Sequence, residues 1–124
     1  MSKIQKNVLG GDLELCSSNP LTGWYRDGCC NTDDNDNGLH TVCAKVNSDF
    51  LEWCKSAGND LVTPHPEFGF PGLKDGDNWC VCATWFAKAV EAGKECKIYL
   101  KKTNEKTLKI IPLEILKKHA IDLS

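Results

Sequence analysis

Eight cysteines stand at positions 16, 29, 30, 43, 54, 80, 82 and 96, and their spacing decides what chemistry is open to them. A structural zinc site needs four ligands converging tetrahedrally, and its usual signature is a pair of Cys-x-x-Cys strings. No such pair occurs here. Cys29 and Cys30 are adjacent, so in extended backbone their side chains point to opposite sides. Cys80 and Cys82 share a face in a strand but lie about 200° apart in a helix. His40-x-x-Cys43 supplies a further pair, and His40, Cys43, Cys80 and Cys82 are the set from which a zinc site could be assembled. No other cofactor is indicated.

The second chemistry is that of a thiol. The spacing predicts that Cys80 opens a helix, where unpaired amides and the helix dipole lower a thiol pKa and supply thiolate at neutral pH. In that reading Cys80 is the nucleophile, with Cys82, Cys29 or Cys30 as its resolving partner. His40 beside Cys43 suggests a Cys/His pair oriented by Asp60 or Asp27, with nothing local to support it beyond residue types. A third chemistry is a small-molecule pocket built from Arg26, Asp27, Asp60, Glu67 and Trp79. His65 between two prolines and His119 near a helix end read as structural. Asp33-x-Asn35-x-Asn37-Gly38 matches half of a calcium-binding EF-hand loop, but the twelfth position is Ala44 and no helix precedes it, so a polar turn is expected.

The elements that must position these residues come from pattern and punctuation. Residues 8–43 read as loop-rich, with Gly10-Gly11, Asn19-Pro20, Asp27-Gly28 and the run from Asn31 to Gly38 as turn signals. A helix is expected over Asp49–Ala57, capped by Ser48, with Phe50, Leu51, Cys54 and Ala57 as its apolar stripe. Three prolines and three glycines in 59–79 exclude helix and central strand, leaving a long loop anchored by Phe68 and Phe70. A second helix is expected over Val81–Ala92, ending at Gly93. Alternation predicts strands over 96–101 and 107–111, and Pro112 opens a last helix to about Ala120. Cys54 and Cys96 fall on apolar stripes and are expected to be packed. The class is α+β, a small antiparallel sheet with about three helices and long ordered loops, in one domain spanning 1–124.

Composition bounds the function. Hydrophobic residues are 41% and charged residues 26%, the balance of a soluble globular chain. Residues 7–93 carry five Lys/Arg against thirteen Asp/Glu, whereas 94–119 carry eight Lys against three Glu. The acidic majority and the net charge of −2 argue against a nucleic-acid partner. No apolar run approaches membrane-helix length and no signal-peptide stretch follows the first lysines, so a cytoplasmic protein with reduced thiols is expected.

Several strings stand in order: Asn7-Val8-Leu9-Gly10-Gly11, Pro20-Leu21-Thr22-Gly23, Arg26-Asp27-Gly28-Cys29-Cys30-Asn31-Thr32 and His40-Thr41-Val42-Cys43-Ala44. Gly58-Asn59-Asp60-Leu61, Pro66-Glu67-Phe68-Gly69-Phe70-Pro71-Gly72-Leu73 and Trp79-Cys80-Val81-Cys82-Ala83 follow. Together they resemble the uncharacterised, mainly bacterial family called domain of unknown function 2237, over about 7–122. The resemblance implies a compact cytosolic domain and no particular activity. It places Cys16, Cys29, Cys30, Cys43, Cys80 and Cys82 on family-like motifs and leaves Cys54 and Cys96 outside them. The leading expectation is that the cysteines are structural, whether packed, cross-linked or holding zinc, beneath a loop-built binding surface. Thiol chemistry and the Arg26 pocket are the alternatives.

Overall fold

In the computed structural model, which describes residues 5–122, three antiparallel strands lie in the order β2–β1–β3. They are β1 (His40–Lys45), β2 (Asn78–Cys82) and β3 (Lys97–Ile98). Three α-helices accompany them: α1 (Ser48–Ser56), α2 (Ala83–Glu91) and α3 (Leu113–Lys118). The α+β expectation therefore holds.

The central strand is the element that sequence pattern hides. Thr41, Val42, Cys43 and Ala44 are all buried, so β1 is covered on both faces and shows no polar alternation. Val42 and Ala44 belong to the main core with Val81, Phe50, Phe86, Ile98 and Leu116. Cys43 looks the other way, into a separate cluster with Cys16, Cys30 and Cys80. Nearby, Thr41 Oγ1 lies 2.7 Å from Thr107 Oγ1, and the Cys43 amide donates to Thr103 Oγ1. Pairing with β2 sets Cys43 opposite Cys80 and His40 opposite Cys82, with a bulge between His40 and Val42. Such a bulge kinks the strand end and re-aims its side chains.

The helices begin within two residues of where their signals lie. Asn47, not Ser48, caps α1, its side chain accepting from the Phe50 amide. α2 starts at Ala83, so Cys82 is its N-cap and Cys80 lies two residues upstream, inside β2. The expected opening of a helix at Cys80 is thus corrected: Trp79, Cys80 and Val81, all buried, pair with β1 before the helical period takes over. Pro112 caps α3 from outside. There Leu116 is fully buried and Leu113 and Ala120 partly so.

The expected strand over 107–111 is a 3-10 helix, Glu105–Lys109, opened by Asn104, whose side chain accepts from the Lys106 amide. Asn104 is fully buried and donates to the Cys30 carbonyl, so the bend is pinned from inside. The strand expected over 96–101 shortens to two residues, because the Leu100 and Lys101 amides turn to the Asp122 carboxylate. Lysines and aliphatics in turn gave the same alternation as a strand in both places. Phe70 anchors the 59–79 loop by packing edge-on against Trp79 at 5.2 Å; the Phe68 side chain lies outside the described residues.

Candidate functional site

Four of the eight cysteines converge behind the sheet. β1 and β2 place Cys43 and Cys80 side by side, and two loop segments bring Cys16 and Cys30 over them. The loop segments are tied together where the Cys16 and Ser17 amides both reach the Gly28 carbonyl. The bonds formed are Cys16–Cys43 and Cys30–Cys80, closing 27 and 50 residues. Four of the thiols expected to be reduced are therefore oxidised, and of the partners allowed for Cys80 the fold selects Cys30. The sulfurs of Cys16, Cys30 and Cys80 lie within 4.8 Å of one another, a grouping that could hold a metal ion.

The zinc set read from sequence does not converge. Cys43 and Cys80 lie in the buried sulfur group, each bonded to a different loop cysteine. His40 and Cys82 pair with each other at the far end of the same strands, beyond the bulge, and line a pocket. Cys80, expected as a nucleophile, is 2% exposed and cross-linked to Cys30, one of its expected partners.

That pocket holds about 590 Å³ and runs along β2, the edge strand, using Trp79, Cys80, Val81 and Cys82. Its volume falls in the range of small-molecule sites. Arg26, Asp60 and Trp79 line it as expected, whereas Asp27 and Glu67 do not. Asp27 is taken up in its own turn, accepting from the Cys29 amide and the Asn31 side chain. Glu67 lies 3.1 Å from His65 Nδ1 on an exposed 3-10 turn. Trp24, His65 and Phe70 complete the aromatic wall. Sequence reading missed these three, since nothing in spacing links residue 24 to residue 79.

Arg26 is held in a left-handed conformation, φ 56°, which costs a non-glycine residue about 1–3 kcal/mol. Its guanidinium sits 5.1 Å from the Trp79 ring centre and gives one hydrogen bond to the Gly23 carbonyl. Gly23 itself has φ 105° with the Cys29 carbonyl against it, leaving no room for a side chain. Opposite, Trp24 stacks on His40 at 5.7 Å. His40 Nδ1 lies 2.7 Å from Asp36 Oδ1, whose side chain is fully buried. Asp36 Oδ2 accepts from the His40 amide and from Thr32 Oγ1. The EF-hand-like run is thus a turn whose third acidic residue orients a histidine. Cys82 Sγ lies 2.8 Å from the Gly38 carbonyl and 2.8 Å from Thr84 Oγ1.

Asp60 shapes its own loop. Its carboxylate accepts from the Thr63 hydroxyl and from the Val62 and Thr63 amides, and these bonds hold its pKa at about 2 against an ordinary 3.8. A depressed folded pKa stabilises the ionised turn above pH 3.8, and that contribution is lost as the pH falls toward 2. Thr63→Val should return the Asp60 titration toward 3.8, read by carboxyl NMR; an unmoved midpoint would remove the Thr63 hydroxyl as its main cause.

Among the described residues the free thiols are Cys29, Cys54, Cys82 and Cys96. Burial raises the Cys54 thiol, and pushes Cys96, with Cys54 beside it, up to about 12. Burial, then Asp27, raises Cys29. Alkylation of the folded, unreduced protein should mark Cys82 and, more slowly, Cys29, leaving Cys54 and Cys96 silent until unfolding; early labelling of Cys96 would contradict this packing.

Fold and site define a small α+β domain with a cystine-braced sheet and a pocket on its free edge. The family model described as an uncharacterised protein conserved in bacteria (DUF2237) matches residues 6–120, and the chain belongs to that family. No curated protein matches the chain. Among the described residues, no helix is long and apolar enough to cross a membrane.

Proposed function

We propose that this is a cytoplasmic single-domain protein whose cysteines are mainly structural and whose edge-strand pocket binds a small anionic molecule with a planar group. The observation that carries the reading is Arg26, kept in a strained backbone at the pocket wall over Trp79. Strain of that kind persists where the surroundings over-determine it, and it clusters at binding sites. Guanidinium is the donor suited to a carboxylate or phosphate, and Trp24, Phe70 and Trp79 offer faces and edges to a ring. The acidic balance of residues 7–93 supports a small ligand over a nucleic acid. Zinc is the metal proposed for the sulfur group.

The test is a thermal-shift screen of small carboxylates and phosphates, followed by tryptophan fluorescence titration. A ligand bound only by the folded state raises the midpoint. Arg26→Ala should weaken the best anion about ten- to a hundredfold. No shift from any anion, or a shift indifferent to Arg26→Ala, would overturn the reading.

A second reading is thiol chemistry at Cys82, the free cysteine of the pocket. Its support is that the fold sets it opposite His40, whose Nδ1 is engaged by buried Asp36, leaving Nε2 to take a proton. The thiol proton would pass to His40 while sulfur bonds an electrophilic carbonyl carbon, whose π pair moves to oxygen. Slower alkylation of Cys82 in His40→Ala supports this; an unchanged rate excludes it.

A further inference from the structure

We propose that Cys16, Cys30, Cys43 and Cys80 form a zinc tetrathiolate site when reduced, so that the same four sulfurs brace the fold as two cystines or as one metal centre. This deepens the zinc assignment proposed for the sulfur group and is independent of the pocket reading, which concerns a different part of the molecule. Three of the four sulfurs lie within 4.8 Å of one another, and Cys43 is bonded to one of those three. A tetrahedral zinc with Zn–S bonds of about 2.3 Å needs four sulfurs gathered around one centre at about that spacing. Breaking the two S–S bonds lets each pair part toward it without moving the backbone far, since the paired Cα atoms are already 5.7 and 5.4 Å apart.

The donor set favours the metal class. All four ligands are sulfur, and soft thiolates select zinc over the hard cations. All four residues are buried, at 3, 0, 0 and 2% exposure for Cys16, Cys30, Cys43 and Cys80. Four free thiols packed together in a reducing compartment would have only weak hydrogen bonds to exchange, whereas a metal satisfies them all. Two ligands come from neighbouring strands and two from loop positions 14 apart in sequence, Cys16 and Cys30, which is why no Cys-x-x-Cys signature announces the site.

The chemistry balances with a dithiol reductant. Each cystine takes two electrons and two protons from one dithiol, which becomes a disulfide, so two dithiols release four thiols. Zinc then displaces four protons and gains four Zn–S bonds. In reverse, two disulfide oxidants take four electrons and four protons and become dithiols, the two cystines re-form and the zinc ion leaves.

The full chain is reduced with a phosphine, freed of reductant under nitrogen and titrated with zinc alone, then with cobalt(II). One zinc per chain by native mass spectrometry, and the visible absorption of a tetrahedral cobalt tetrathiolate, are expected. Cys16→Ser should weaken zinc by about a hundredfold or more and alter the cobalt spectrum, while Cys82→Ser leaves both unchanged. Should the reduced chain unfold, zinc must restore its circular dichroism. Failure to bind or refold, or dependence on Cys82 in place of Cys16, would overturn the proposal.

Discussion

Replacing Cys30 and Cys80 together by alanine should lower the stability of the oxidised protein by about 4 kcal/mol, the cost of freeing a 50-residue loop. Cross-linking restricts the unfolded chain more than the folded one, and the restriction grows slowly with loop length. The Cys16/Cys43 pair closes 27 residues, so its double replacement should cost about half a kcal/mol less. Alanine retains an apolar side chain in the buried cluster, which separates loss of the bond from introduction of a polar group. Urea unfolding without reductant reads both variants. A change below about 1 kcal/mol for Cys30/Cys80 would mean that the bond does not constrain the chain.

Asp36→Ala should cost about 3 kcal/mol, a large effect for a residue in a polar loop. The carboxylate is fully buried and receives three interactions, from the His40 ring, the His40 amide and Thr32 Oγ1. Alanine leaves a buried amide and hydroxyl unpaired and releases the ring that stacks on Trp24. Asp36→Asn keeps the volume and an acceptor oxygen and should lose less than half as much. The pocket should register the same change, because His40 lines it. An Asp36→Ala variant as stable as the parent would show that the Asp36–His40 pair does not form.

The legible parts of this fold were those with local punctuation. Gly58 and Gly93 follow the ends of α1 and α2, and of the apolar stripe Phe50, Leu51, Cys54 and Ala57 the first three are buried, whereas Ala57, the C-cap of α1, is exposed. Cys54 and Cys96, on stripes and outside the family motifs, are packed and free. β1 was not legible, since a strand buried on both faces has no period-two signature and turn residues lead into it. The error at Cys80 followed from that omission. Without β1 as a partner, Trp79 to Cys82 reads as the start of α2, and Cys80 then gains a helix dipole it does not feel. The pairing of Cys16 with Cys43 and of Cys30 with Cys80 depends on how two loops cross the sheet, which eight cysteine positions cannot encode. Arg26, Asp60 and Trp79 were found by residue type alone; their separation from Asp27 and Glu67 is set by turn hydrogen bonds within each loop.

The most direct test is a peptide map of the air-oxidised protein, alkylated while folded and digested without reductant. Linked peptides joining Cys16 to Cys43 and Cys30 to Cys80 are expected, with an intact mass two hydrogens lighter for each bond and Cys54 and Cys96 recovered as thiols. A bond from Cys82, Cys54 or Cys96 to any of the four, or a crossed pairing among them, would contradict the sulfur centre on which the fold and the pocket rest.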